Sequence, residues 1–326
     1  MTINSEIKNM IDRKIPLTVV YYNDKDPLST TGGVQTFAKG LRLIFHDVEY
    51  MTPKNLDLKY ILNKQIPVIC TNEMVSDIPD DIPVIGFQHG VGAVKYSVTR
   101  SRGHKKLKKS QEKSSKRQNT IWIACADWIA SKFEELYGNK TNHVIYHHID
   151  TELFDGKLDN DNSRLILHDA RTKHKGLNLL PILEQAFPDW QFEPLNCRSD
   201  DVPDRMRKAK AFIHLSRYEG NSIVCNEAMA MNLPCMFTMV GLMQDENRPK
   251  EIYLIETEKA YKSYFGITKV NKDELIHQTE LFIESINNKN YNPRNWVLKN
   301  AVASISHKKW EQTMIDFQSL SGWSIF

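Results

Sequence analysis

Short apolar runs alternate with longer amphipathic stretches almost from one end of this chain to the other. A strand buried on both faces reads as an unbroken apolar run, and the helix that crosses over it reads with a 3.6-residue period, so the pattern predicts parallel sheets covered by helices. In the first half the expected strands are Leu17 to Tyr22, Ile66 to Cys70, Val84 to Gln88, Trp122 to Cys125 and His143 to Tyr146, with a helix over Asp127 to Tyr137 closed by Gly138. In the second half they are Arg164 to His168, Trp190 to Glu193, Ala211 to Leu215, Pro234 to Phe237 and Ile252 to Ile255. Helices are expected there near Lys175 to Ala186, Val202 to Lys208 and Ser222 to Met231, and two more at Lys272 to Ile286 and from Pro293 to about Leu320. A doubly wound α/β architecture, built twice, follows. The 326 residues suffice for two cores, and the apolar periodicity lapses over Asp150 to Asn162, which marks a linker. The expected domains are therefore 1–150 and 151–292, followed by a terminal helical segment, 293–326.

Composition narrows the function classes. No apolar run reaches the roughly 18 residues of a membrane span, and Met1 to Lys14 has no apolar centre of the secretory kind. Cytoplasmic residence is expected, with attachment to a membrane surface as the alternative. The five cysteines, Cys70, Cys125, Cys197, Cys225 and Cys235, are odd in number, widely spaced and mostly set in apolar segments, which reads as reduced core thiols. No C-x-x-C pair suggests zinc, and His143, His147 and His148 lie on an expected strand, where neighbouring side chains alternate faces and do not converge on a metal.

One block carries more chemical information than any other. The strand Ala211 to Leu215 runs into a polar turn containing Gly220 and the N-cap candidates Asn221 and Ser222, and then into the helical run Ile223 to Met231. Glu219 lies in that turn and Glu227 in the helix, eight positions on. The free N–H groups of the first helical turn fall between the two carboxylates and suit a diphosphate. Carboxylates accept hydrogen bonds from hydroxyls, so a sugar on either side is the complement.

This arrangement, from Ser216 through Asn232-Leu233-Pro234, resembles the E-x7-E signature of retaining, nucleotide-sugar-dependent glycosyltransferases of family 4. The resemblance implies a GT-B fold, two Rossmann-like domains facing across a cleft, with the terminal helix crossing back onto the first. It also implies that Glu227 holds the ribose, that Glu219 faces the transferred sugar, and that the backbone at Asn221, Ser222 and Ile223 contacts sugar and phosphate. Transfer with retention and without a required divalent metal is part of the same implication. No cofactor is expected beyond the donor itself, taken as a UDP- or GDP-sugar.

Other residues fit the resemblance. Gly32 and Gly33 stand at an expected strand-to-helix turn, match the family's Gly-Gly-Val element and let backbone N–H groups approach the diphosphate. His89 follows the strand Val84 to Gln88, at the strand end where doubly wound folds place ligands, and matches the family's first-domain histidine. Arg171 and Lys175 occupy the loop of the family's Arg…Lys-Gly pair, which neutralises the leaving diphosphate. Their spacing is shorter than usual and Asp169-Ala170 precedes the arginine, so Lys173 is a candidate substitute for one of them. His147-His148 stands where the family usually has Asn-Gly, so the turn there must be made differently.

Charge is distributed unevenly. Lys95 to Arg117 holds ten Lys and Arg against the single acid Glu112, a segment at +9 that leaves −6 for the rest of a chain whose total is +3. A basic segment in an otherwise acidic chain points to a local anionic partner, and Arg100, Arg102, Lys105, Lys106, Lys108 and Lys109 are its candidates. Three readings stand: a solvated segment without a partner, an anionic lipid surface, or a nucleic-acid backbone. Phe87-Gln88-His89-Gly90 and Tyr96 to Arg102 weakly resemble the acceptor side of phage DNA glucosyltransferases acting on hydroxymethylated, flipped-out bases. A non-catalytic sugar-nucleotide or nucleic-acid binding protein is the alternative from another class.

Overall fold

The computed structural model describes residues 18–21, 32–255, 261–264, 267–286, 288 and 291–325. They divide into two compact units: the first takes the described residues up to Tyr96, Ser101–His148 and those from Ala301 onward, and the second takes Ser97–Arg100 and Ile149–Asn300.

The first unit is built on a parallel six-stranded sheet in the order β2-β1-β3-β4-β5-β6. In chain order its elements are β1 (Thr18–Tyr21), α1 (Gly33–Gly40), β2 (Val48–Met51), α2 (Leu58–Lys64), β3 (Val68–Thr71), β4 (Val84–Gln88), α3 (Gly92–Thr99), α4 (Arg102–Ser114), β5 (Thr120–Ala124), α5 (Asp127–Tyr137) and β6 (His143–Val144). Every residue of β3, β4 and β5 is buried, as central strands covered on both faces must be. One core gathers Ile61, Val68, Val84, Trp122 and Phe133. Helix α5 spans Asp127–Tyr137 and ends at Gly138 in the left-handed conformation, as the sequence predicts.

The second unit carries a parallel five-stranded sheet in the order β11-β10-β9-β7-β8. Its elements are β7 (Leu165–His168), α6 (Leu180–Ala186), β8 (Gln191–Pro194), α7 (Val202–Arg207), β9 (Ala211–His214), α8 (Ile223–Ala230), β10 (Cys235–Thr238) and β11 (Tyr253–Ile255), then the antiparallel pair β12 (Tyr261–Tyr264) and β13 (Ile267–Val270), α9 (Lys272–Ile286) and α10 (Arg294–Asn300). Ile166, Leu183, Ala211, Ile213, Met236 and Phe282 pack together in its core. The last helix, α11 (Ala303–Ser321), belongs to the first unit, where Trp310 is fully buried and stacks on Phe87 with centroids 5.8 Å apart.

Three expectations need correction. The helix expected from Pro293 to Leu320 is two helices, because Val302 is extended and serves as the N-cap of α11. The helix expected from Lys175 is a 3-10 turn, Lys173–Lys175, ended by left-handed Gly176, and α6 begins only at Leu180. Edge strand β2, helix α2 and the β12/β13 pair lie outside the expected elements. The loop residues before Gly32 fall outside the described residues.

Candidate functional site

The strand-turn-helix block of the second unit takes the form its sequence predicts. β9 ends at His214, Glu219 follows in the turn, and α8 begins at Ile223 with Ser222 as its N-cap. The Ser222 side chain makes no capping hydrogen bond, and Asn221 Oδ1 accepts from Asn226 Nδ2 at 2.9 Å. The first-turn N–H groups of α8 are therefore not capped by the Ser222 side chain, which suits an anion. Gly241 holds the turn from the other side. Its φ is +62°, and a Cβ there would lie 2.7 Å from the Gly220 carbonyl oxygen and 2.9 Å from Glu219 Cβ.

Glu219 is one corner of a buried group of four charges. Lys175 Nζ lies 2.7 Å from Asp169 Oδ2 and 3.3 Å from Glu219 Oε1. His214 Nδ1 lies 2.5 Å from Asp169 Oδ1, and its Nε2 is 3.3 Å from Glu219 Oε1, a charge-pair distance without hydrogen-bond alignment. The Asp169 and His214 side chains are 1% and 3% exposed, so each charge depends on the others for its neutralisation. Burial alone would raise Asp169, but His214 and Lys175 hold it far below the usual carboxylate range. Burial would likewise lower His214, and the Asp169 carboxylate lifts it well above the ordinary imidazole value instead. Glu219 is held low against burial by His214 and Lys175, and Lys175 is held high against burial by Glu219 and Asp169. At neutral pH the group is two carboxylates facing two cations.

Asp169 and His214 were not among the candidates read from the sequence. Parallel pairing of β7 with β9 sets His168 opposite Ile213, so Asp169, just past the end of β7, meets His214, the last residue of β9. A polar residue closing each of two apolar strands was the visible signal. Gly176, at φ +87°, fixes the loop that supplies Lys175, since a Cβ there would lie 2.7 Å from Leu215 Cβ.

The remaining donor-side candidates stand apart from this group. Arg171 and Lys173 are exposed and form no ion pair among the described residues. Glu227 is half-buried on α8 without a hydrogen-bond partner for its carboxylate among the described residues, and burial raises it to about 7.

In the first unit His89 follows β4, and its N–H donates to Asn72 Oδ1 at 2.8 Å. Its ring stacks on that of His147 with centroids 5.1 Å apart, and Nδ1 of His89 lies 3.4 Å from Nε2 of His147. Phe37 and Phe87 pack against both rings. Burial lowers His89 to about 3, and burial with His89 and His148 close by drives His147 well below the ordinary value. His89 is thus a neutral hydrogen-bonding group. The three neighbouring histidines take three separate partners: His143 meets Asp316, His147 meets His89, and His148 meets the Gly40 carbonyl. Gly32 is the N-cap of α1 and Gly33 its first residue, with open space where a Cβ of Gly33 would stand.

The basic segment forms most of α3 and all of α4. Arg102, Lys105, Lys106, Lys108 and Lys109 are exposed on α4, and Arg100, between the helices, is exposed at φ +54°. Arg117 is different: its guanidinium is buried and donates to the carbonyls of Ile78, Pro79 and Ile82, so it anchors a loop. No helix among the described residues is long and apolar enough to cross a membrane.

Residues 189–286, which include Glu219 and Glu227, match the family described as Glycosyl transferases group 1. This chain is a glycosyltransferase. Its fold is GT-B, shared with solved structures over nearly its whole length. Sucrose-phosphate synthase from Thermosynechococcus elongatus superposes with a TM-score of 0.72 at 13% identity, covering 94% of this chain and 100% of that one. HepE from Anabaena, solved with UDP and glucose, gives 0.65 at 14% identity over 93% and 100% of the two chains. WaaG, a glycosyltransferase involved in lipopolysaccharide biosynthesis, gives 0.59 at 13% over 94% and 100%. At such identities the likeness is one of fold. No curated protein sequence matches the chain.

Proposed function

We propose that this glycosyltransferase moves a sugar from a nucleoside diphosphate to an acceptor hydroxyl, with retention of anomeric configuration and without a required divalent metal. The observation that carries the reading is the division of charge in the second unit. Glu219 is ionised and fixed by Lys175 and His214, while Arg171, Lys173 and the start of α8, which the Ser222 side chain does not cap, are left without anionic partners. The fixed carboxylate suits hydroxyls of the transferred sugar. The unpaired donors suit a diphosphate.

Bond cleavage at the anomeric carbon builds positive charge on the sugar and negative charge on the departing phosphate. Donors already oriented toward that phosphate stabilise the transition state more than the ground state. Arg171 and Lys173 supply exposed cations and α8 supplies N–H groups; Lys175 is shared between phosphate and Glu219. Glu227 accepts from the ribose hydroxyls. Neutral His89 donates to or accepts from the sugar or its leaving group without carrying charge. The family resemblance supports retention, and the anomeric configuration of the product, read by proton NMR, tests it.

A uridine donor is the first to try, because HepE was solved with UDP and glucose. Thermal-shift titration of wild type and Glu227→Ala against uridine, guanosine, adenosine and cytidine diphosphates tests the donor site. A shift with one nucleotide, lost in the variant, is expected; no shift with any of them would remove the donor reading. We propose further that the acceptor is polyanionic or presented on an anionic surface, on the strength of the basic segment that follows His89. The comparisons favour neither the DNA-modifying alternative nor the non-catalytic one.

A further inference from the structure

Four cations of α4, Arg102, Lys105, Lys109 and Lys113, recur at intervals of three, four and four residues, and Lys116 follows three later in the turn beyond the helix. Such spacing puts them on one face, a row roughly 16 Å long from Arg102 to Lys113 at the helical rise. All five are exposed, and none forms an ion pair among the described residues. Folding does not explain the row. Lys105 with Lys109 and Lys109 with Lys113 are like charges one turn apart, which destabilises a helix.

The row is nonetheless held rigidly. Ser101 caps the start of α4 by accepting from the His104 N–H. Fully buried Gln111 donates to Gln88 Oε1 at 2.6 Å and to the Gly90 carbonyl at 2.8 Å, and accepts from the Gly92 N–H at 2.7 Å. Arg117 pins the chain just beyond the helix. Gln111 thereby ties the basic helix to the residues on either side of His89.

We propose that this face of α4 docks on duplex DNA, the macromolecule that carries the acceptor hydroxyl. This deepens the proposed function and rests on it. A straight, preorganised row of cations matches an array that carries one negative charge per about 1.7 Å of axis. A lipid surface fits less well. Surface-seeking helices set apolar side chains beside their basic ones, whereas the one large apolar side chain of α4, Leu107, turns inward over Gly92.

The test is fluorescence anisotropy of a labelled, short DNA duplex with the full chain, as wild type and with Lys105, Lys109, Lys113 and Lys116 all changed to Gln. Wild type should bind at low salt with a steep loss as salt rises. The variant should lose about 0.9 of log–log salt slope per lysine removed while keeping its melting temperature and its response to nucleoside diphosphate. No duplex binding at low salt, or equal binding by the variant, overturns the proposal. Tighter binding to phosphatidylserine vesicles than to the duplex also overturns it and assigns the face to a lipid surface. Intact duplex binding without any nucleotide response would instead count against the donor reading alone.

Discussion

His214 Nδ1 and Asp169 Oδ1 lie 2.5 Å apart at the carboxyl ends of two neighbouring parallel strands, and both side chains are sealed from solvent. Asp169→Asn leaves His214 and Lys175 with Glu219 as their sole carboxylate in the group. Removing one partner of a buried pair costs about 3–5 kcal/mol, so the variant should unfold at markedly lower urea. Opposite shifts define the pH window. Asp169 is depressed, so its contribution is present above its unfolded value near pH 4 and lost as pH falls through the folded value. His214 is raised, so its contribution is full below its unfolded value near pH 6.5 and lost as pH rises through the folded one. The gap between wild type and Asp169→Asn should be widest between roughly pH 4 and 6.5 and narrow in alkali. A gap that does not vary with pH would show that the pair is not ionised.

Arg171 and Lys175 were read from sequence as one phosphate clamp, and the structure gives them different surroundings. Arg171→Ala should lower turnover by roughly 100- to 1000-fold, the scale of one lost transition-state donor, with stability changed by no more than about 0.5 kcal/mol. Lys175→Ala should lose turnover and stability together, because Asp169 and Glu219 then share only His214. Steady-state kinetics and melting curves on the two variants separate these outcomes. Unchanged turnover in Arg171→Ala retires its role at the leaving group.

Local chemistry made much of the fold legible. Asp127–Tyr137 and Lys272–Ile286 have the bounds read from sequence, because each shows helical periodicity, and the first also a terminal glycine. β4 matches because a fully buried strand cannot be mistaken for a polar loop. Glu219 and Glu227 were legible through the turn between them. The charge group was not: Asp169 and His214 are 45 positions apart, and only the β7/β9 pairing brings them together. β2 was missed because its Val-Glu-Tyr-Met sequence is mixed and it lies at the sheet edge. His147 was read as a departure from a familiar turn, and its contact with His89 spans 58 positions.

Glu227 is raised by burial to about 7, so its carboxylate gains charge near neutrality. As a ribose acceptor it should bind better when ionised, and affinity for a nucleotide sugar should weaken as pH falls through about 7. Glu227→Gln should bind more weakly at pH 8 and lose that pH dependence. Calorimetric titration at several pH values checks both points; a variant that keeps the wild-type profile removes the ribose role.

The His89 and His147 rings are kept neutral by burial, so they take up protons only on unfolding. Both folded values lie below the unfolded value near 6.5, so stability must fall as pH drops below it, by up to about 1.4 kcal/mol per pH unit for each ring. Between about pH 6.5 and 5, His214 is protonated in both states; buried His168, lowered to about 4, adds a third ring of the same sign, and Glu227, raised to about 7, offsets one of the three. His147→Gln removes one titrating ring and keeps a hydrogen-bonding group opposite Nδ1 of His89. The slope of unfolding free energy against pH should drop by up to about 1.4 kcal/mol per pH unit, measured by urea unfolding at closely spaced pH values. An unaltered slope would mean that His147 already carries a proton in the folded protein, and the neutral state assigned to His89 beside it would then have to be abandoned.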